Sequence, residues 1–417
     1  MTRNLPNNVL PKGLLLTVAE KEAYTKLVDR LVDRACKEFM VHRDICGRKV
    51  DSKEWREIKS VGKLSIRKDR KSKHDRVQTL LGANGQYELV ESNIPVPSML
   101  VTGTLPGTID DFLYGAFIDS SEAHRMRASY LKDQASDFHF LARVSTPTEE
   151  DPFRFAGVAW VELAGAKGIP FIWRRDILTL VAMGSKTTVS GERFGYYVIH
   201  SIGRSEIPPF PEKKYMRAKC SFCFVFHQRD VDTVEIYQRG FFAPMGDVPE
   251  RSVLSSVLKN LVVPTRLMES SQGKKLHFMM KRAPQRHPSS LLGNKCAAGC
   301  QSRSRTGGTK QGTCVVCRLP VCSACKVPKK IAIDANRHAA IENTFSFCLV
   351  CVNKAKATPA AIFAQTEVIT KTFNLEARQK ALAAAPAGTD VVLYPQDLRK
   401  PRPVSCRTRR GEFGMLV

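Results

Sequence analysis

No run of apolar residues in this 417-residue chain approaches the ~18–20 that a membrane-spanning helix needs. The longest runs, such as Gly13–Ala19, are cut off by charge. A transmembrane segment is therefore not expected. The N-terminus has no basic segment followed by a long apolar core, so a secretory signal is not expected either. Catalytic signatures are equally scarce. There is no Walker loop, no Gly-x-Gly-x-x-Gly after a strand, no His-Glu-x-x-His and no Gly-x-Ser-x-Gly. Gly307–Gly312 is glycine-rich but lacks the Gly-Lys-Ser/Thr ending. The nine histidines show no ligand or triad spacing. Nothing here favours an enzyme. Acidic residues are few: Asp plus Glu total 40 against 65 Lys plus Arg, a formal net charge of +25. From Lys281 to Lys330 there are 11 Lys and Arg residues and no Asp or Glu. That balance points to an anionic partner without choosing among nucleic acid, acidic protein and membrane surface. At 43% apolar residues the chain is not wholly disordered. Its length suggests two or three domains.

Cysteine, by contrast, is plentiful and unevenly placed. Eight of 13 cysteines fall between Cys296 and Cys351. They form four close pairs: Cys296 and Cys300, Cys314 and Cys317, Cys322 and Cys325, Cys348 and Cys351. A tetrahedral zinc ion takes about four thiolate or imidazole ligands. Four pairs therefore suit two Zn2+ ions. A disulfide framework is disfavoured for a chain expected to stay in a reducing compartment. The surrounding Gly, Ser and Thr cannot build an apolar core, so metal binding would supply the folding free energy.

The central run Cys314-Val-Val-Cys317-Arg-Leu-Pro-Val-Cys322-Ser-Ala-Cys325 resembles the FYVE-type zinc finger. The resemblance covers about Leu291–Lys354. It implies a cross-brace, with Cys296, Cys300, Cys322 and Cys325 on one ion and Cys314, Cys317, Cys348 and Cys351 on the other. Three family motifs that bind phosphatidylinositol 3-phosphate are replaced. Ser289–Leu292, Lys310–Thr313 and Ser346-Phe347 stand in their places. The likeness thus extends to the zinc scaffold and not to that headgroup site. A RING-type ubiquitin-ligase finger shares the cross-brace, but normally carries a histidine ligand where this chain has only cysteine. His338, between pairs, reads as a surface or packing residue. Cys220 and Cys223 sit in a strand-like run. Residues i and i+3 of a strand face opposite sides, so these two are not expected to chelate together.

The N-terminal 250 residues or so read differently. Thr17–His42 has apolar residues at helical spacing, from Tyr24 through Phe39, behind a Thr17/Glu20 capping box. Strands are expected at Val61–Ile66 and Tyr87–Val90, flanking a basic loop over 67–76. More follow at Ser98–Leu105, Phe138–Ser145, Phe153–Leu163, Asp176–Met183, Arg193–Ile202, Lys219–His227 and Val231–Gln238. Thr108 opens a short helix with Asp110 and Asp111 in its first turn. A longer helix begins near Asp247 with an apolar stripe, bends or ends near Pro264, and leads to a weaker helical stretch ending near Met268. His200 reads as a satisfied core histidine.

Helix, consecutive strands and a C-terminal helix make an α+β arrangement with an antiparallel sheet. Val101–Tyr114, Arg175-Asp176, Gly191–Gly195 and His200–Ile202 resemble segments of the START lipid-binding domain. That resemblance implies a helix-grip fold over about 17–275, with an apolar cavity between a curved sheet and the C-terminal helix. Val253, Val257 and Leu261 are expected to face the cavity.

The resulting division is an arm over 1–16, the START-like domain over 17–275 and a linker over 276–290. A finger over 291–354, an Ala-rich helical segment over 355–385 and a basic tail over 386–417 complete it. The Ala-rich segment shows two helical patterns, Ala360–Ile369 and Asn374–Ala384. The function implied is non-enzymatic binding or sensing of an apolar lipid, with the finger contacting membrane or protein partners. Arg67, Lys68, Arg70, Lys71, Lys310 and Arg318 are candidates for contact with an anionic membrane. Specific nucleic-acid recognition is not expected, since the finger lacks a recognition helix and interleaved aromatics. The alternatives are a zinc-scaffold interaction adaptor without bound lipid, and a RING-like ubiquitin ligase. A cytoplasmic location, with peripheral contact to internal membranes, is expected.

Overall fold

The computed structural model describes residues 10–11, 13–70, 76–132, 135–163, 173–284, 296–300, 312–336 and 339–383. Of 135, 136 and 372–383 it describes the backbone alone. The chain divides into two compact units, Met1–Gln365 and Thr366–Val417.

Helix α1 (Val18–Met40) begins at the capping box read from the sequence. The Glu20 amide donates to Thr17 Oγ1 at 3.2 Å, and the Thr17 amide donates to the Glu20 carboxylate at 2.8 Å. Two orphan donors of the first turn are thereby satisfied. Strands β1 (Trp55–Val61) and β2 (Leu64–Asp69) form a hairpin. Gly62 occupies its turn at φ +58°, a left-handed conformation that costs glycine little. The expected strand over 61–66 therefore straddles a turn. β3 (Val77–Leu81) and β4 (Tyr87–Glu91) make a separate two-stranded ribbon.

β5 (Ser98–Pro106) leads into α2 (Ile109–Ala116) and α3 (Ser121–Leu131). Then come β6 (Ala135–Ser145), β7 (Phe155–Leu163), β8 (Arg174–Thr187) and β9 (Arg193–Ser201). β10 (Tyr215–Arg217), β11 (Lys219–Asp230) and β12 (Thr233–Ala243) complete the main sheet. Its order is β1-β2-β5-β12-β11-β9-β8-β7-β6, antiparallel throughout, with β10 parallel to the start of β8. The architecture is α+β.

The sheet is apolar on both faces. One face, with Leu178, Leu180 and Val225, packs against Leu27, Leu31 and Phe39 of α1. The other, with Phe224, Phe226 and Ile236, lies under α2, α4 (Glu250–Leu261) and α5 (Leu267–Lys281). A helical turn at Val263–Arg266 containing Pro264 separates α4 from α5. The sequence pattern favours α4, yet α5 is the longer and more deeply packed helix. It runs to Lys281, into the stretch expected to be a linker. Between Leu267 and Leu276 its buried face carries Ser270, Ser271, Gly273 and Lys275, so hydrophobic periodicity reveals it poorly.

The cysteine-rich region holds β13 (Gly312–Thr313), β14 (Pro320–Val321), β15 (Lys326–Ala335) and β16 (Ala340–Cys348). It ends in α6 (Leu349–Ala357). Helix α7 (Ala360–Ala383) is continuous where two helical patterns were expected. Among the described residues, no helix is long and apolar enough to cross a membrane.

Candidate functional site

Two features stand out: a cavity between α4 and the sheet, and two clusters of four cysteines.

The cavity has a volume of about 130 Å3. Its floor follows from strand alternation, which sends Cys220, Phe222 and Phe224 of β11 to one side. Phe242 of β12, directly opposite Cys220, joins them. Val257 and Leu261, one helical turn apart, close it from α4. Val253, a turn earlier, is part-buried against the apolar cluster and stands outside the lining. The same turn geometry brings Ser256 and Asn260 to the rim.

α3 contributes two residues that the sequence reading missed, His124 and Arg127. Both are buried. The His124 ring stacks on Phe138 with centroids 3.9 Å apart. Arg127 donates from one terminal nitrogen to the Ala116 carbonyl at 3.0 Å and the Tyr197 hydroxyl at 3.1 Å. No apolar stripe marks α3, because three of its four buried residues are His124, Arg127 and Tyr130. The one available signal was Ser120, whose hydroxyl caps the helix by accepting the Ala123 amide at 3.1 Å.

Gln238 lies beside this floor, directly opposite Phe224. It is fully buried, and neither polar atom of its amide has a hydrogen-bond partner among the described residues.

Cys223 points away from the cavity, under α1, so it and Cys220 occupy opposite faces. Burial raises both thiols, Cys220 to about 12. Neither is a reactive thiolate at neutral pH. His200 is satisfied as a core histidine. Nε2 donates to the Leu81 carbonyl at 2.8 Å, and Nδ1 accepts from Ser221 Oγ at 2.8 Å. Desolvation brings its pKa down to about 4.

The sulfurs of Cys296, Cys300, Cys322 and Cys325 come together as one group, and those of Cys314, Cys317, Cys348 and Cys351 as another. All sulfurs of a group lie within 4.8 Å of one another. The recorded separations are 3.7 Å for Cys296–Cys322, 3.5 Å for Cys300–Cys322 and 3.9 Å for Cys317–Cys348. A tetrahedral ion with sulfur bonds of ~2.3 Å sets its ligands about 3.8 Å apart. A disulfide would bring two sulfurs to about 2.05 Å. The geometry is that of two sites, each able to hold a metal ion. The hydrogen bond between the Cys314 and Cys351 thiols lowers the pKa of Cys314 and raises that of Cys351. A divalent cation would replace the thiol protons.

The cysteine-rich region is docked on the first unit's body. Leu276 of α5 packs in the same apolar cluster as Cys314, Cys325, Val321 and Phe347. Lys275, 2% exposed, makes an ion pair with Asp111 at 2.8 Å and donates to the Thr358 carbonyl at 2.8 Å. Asp111 also accepts from Ser271 Oγ at 2.8 Å.

The basic candidates are engaged nearby. Arg67 reaches Thr102 Oγ1 at 2.9 Å and Glu57 at 3.4 Å, and Lys68 pairs with Glu250 at 3.3 Å. Arg70 donates to the Ser52 carbonyl at 2.9 Å. Arg318 takes a left-handed conformation after Cys317, at φ +62°. Lys71, Lys310 and His338 lie outside the described residues.

No family model matches the chain, and no curated protein matches it. The fold is similar to solved structures of StAR-related lipid transfer proteins. Human StAR-related lipid transfer protein 5 is 10% identical, with 60% of this chain and 98% of that chain covered, at a TM-score of 0.40. Human STARD10 is 14% identical over 55% of this chain and 77% of that one, with a TM-score of 0.35. A StAR-related lipid transfer protein fragment from Xanthomonas axonopodis is 11% identical over 52% and 96%, with a TM-score of 0.32.

Proposed function

We propose that this protein is a non-enzymatic binder of a small apolar or amphiphilic lipid, held between the sheet and α4. A two-zinc finger is docked on its flank. The observation that carries the reading is the cavity enclosed by Phe222, Phe224 and Phe242 below and Val257 and Leu261 above. Apolar enclosure of this kind binds a hydrocarbon chain by removing it from water, with no catalytic group required. The finger completes the fold through its zinc ions and, with its lysines, offers a surface to membrane or protein partners.

At about 130 Å3 the cavity is well below the ~300–1,000 Å3 of drug-sized pockets. That size favours a small ligand. It also supports a second reading, an interaction adaptor whose interior is mostly filled by side chains. Native mass spectrometry of the purified, zinc-loaded protein with a panel of single-chain and two-chain lipids separates the two. Retention of a stoichiometric lipid, lost in Val257→Trp, supports the first reading. A protein that neither co-purifies with nor takes up any lipid would be the adaptor.

A further inference from the structure

Resting on the reading of the cavity as a binding site, we propose that the finger is a zinc-dependent latch on the cavity wall. With both cysteine groups loaded, the β15–β16 hairpin holds α3 in place. Loss of metal loosens α3 and speeds the exchange of whatever the cavity holds.

The hairpin grows directly out of the metal ligands. Cys325 immediately precedes β15 and Cys348 ends β16, so its base carries one sulfur from each group. Lys326 lies directly opposite Cys348 there. Further along β15, Ala332 donates its amide to the Tyr130 hydroxyl of α3 at 2.9 Å. Ile331, beside it, belongs to the same apolar cluster as Cys314, Cys325, Cys348 and Cys351. Removing the metal therefore unties that cluster at its centre and the hairpin at its base.

α3 is a wall that depends on its neighbours. It has 11 residues, and an isolated helix shorter than ~12–15 residues is marginal in water. Its buried residues are His124, Arg127, Tyr130 and Leu131, of which Leu131 alone is aliphatic. The first half is tied to the sheet. Ser121 Oγ accepts the Phe140 amide at 2.9 Å, and His124 stacks on Phe138. The last turn is held by the finger through Tyr130, and by Arg266, which donates to the Leu131 carbonyl at 3.1 Å. Arg127, in the cavity lining, stands one turn before that contact. Loosening the last turn thus reaches the lining at Arg127 while the first half stays on the sheet. The metal-loaded and metal-free finger are the two states that bias α3. By linkage, a ligand in the cavity tightens zinc binding by the same factor.

The test is hydrogen-exchange mass spectrometry on the full-length protein in three forms: zinc-loaded, zinc-depleted with EDTA, and zinc-loaded Tyr130→Phe. Amides over 127–131 are expected to exchange about tenfold faster in the last two, within the ~5–150-fold usual for coupled sites. Amides of β8 and β9 should keep their protection in Tyr130→Phe. That variant retains all eight cysteines, so it decides even if EDTA unfolds the whole unit. The second readout is release of benzene, a probe for apolar cavities of about 150 Å3, or of any lipid that co-purifies. Followed by NMR, release should quicken about tenfold in Tyr130→Phe, again within the coupling range. Wild-type exchange of the α3 amides in either altered form overturns the proposal. So does unchanged release, which would leave the binding reading standing. Binding of neither benzene nor any lipid defeats both.

Discussion

The Tyr130 hydroxyl accepts the amide hydrogen of Ala332 at 2.9 Å, across 202 residues of sequence. Tyr130 stands in the last turn of α3, one turn beyond Arg127 at the cavity wall, and Ala332 lies in β15 of the cysteine-rich region. One short helix therefore touches both the cavity and the finger. The contact depends on a glycine, since a Cβ on Gly273 of α5 would stand 2.5 Å from the Tyr130 ring. Tyr130→Phe leaves the buried Ala332 amide without an acceptor, which costs about 1–3 kcal/mol. Urea unfolding of the zinc-loaded protein measures it, and an unchanged midpoint would show that the bond contributes nothing.

The Lys275–Asp111 pair makes a sharper demand. Lys275→Met strands a mostly buried carboxylate and should destabilise by about 3–5 kcal/mol. The double variant Asp111→Asn with Lys275→Met removes both charges and should recover part of that loss. Additive single effects in a double-mutant cycle would mean that the two charges are not coupled.

Gln238 points the other way. A buried amide without partners costs about 1–3 kcal/mol. Gln238→Met, similar in volume, should raise the stability of the ligand-free protein by about 1 kcal/mol. A drop in the denaturation midpoint would reveal an ordered water or ligand on that amide.

Each cysteine group should bind one zinc ion. Elemental analysis should give two per chain for the wild type, and about one for Cys322→Ser or Cys348→Ser. Two ions retained in Cys322→Ser would contradict the grouping. Chelation should lower the thermal midpoint of the whole first unit, because Leu276 and Lys275 of α5 pack directly against the finger.

His200 gives stability a pH dependence. Burial depresses its folded pKa to about 4, against an ordinary value near 6.5. The unfolded chain therefore binds the extra proton first. The stabilisation is complete above pH ~6.5 and is lost as pH falls toward 4, by roughly 2–3 kcal/mol. Denaturant titrations at pH 7 and pH 5 should show a shallower loss in His200→Gln than in the wild type. Parallel losses would assign the acid sensitivity to other groups.

Local chemistry was legible in the sequence. The Thr17/Glu20 capping box, the opposed faces of Cys220 and Cys223, and the core character of His200 follow from spacing, strand alternation and apolar neighbours. The long strands of the sheet were also readable, as runs rich in β-branched and aromatic residues joined by short turns. α3 and most of α5 were not, because polar residues take up much of their buried surfaces. Arg127, Lys275, Ser270 and Ser271 are tolerable inside only where partners from other elements reach them, and periodicity cannot show those partners.

By itself, the sequence determined an α+β chain with an antiparallel sheet, eight cysteines in four metal-type pairs, and a positive charge concentrated around them. Tertiary structure decided which pairs share a site, that the finger rests on α3 and α5, and that the cavity is small and carries a guanidinium. The physical reason is range. Caps, strand alternation and cysteine spacing are set within a few residues. Cavity volume, buried ion pairs and the meeting of Tyr130 with Ala332 are set by side chains that the fold brings together across up to 202 residues.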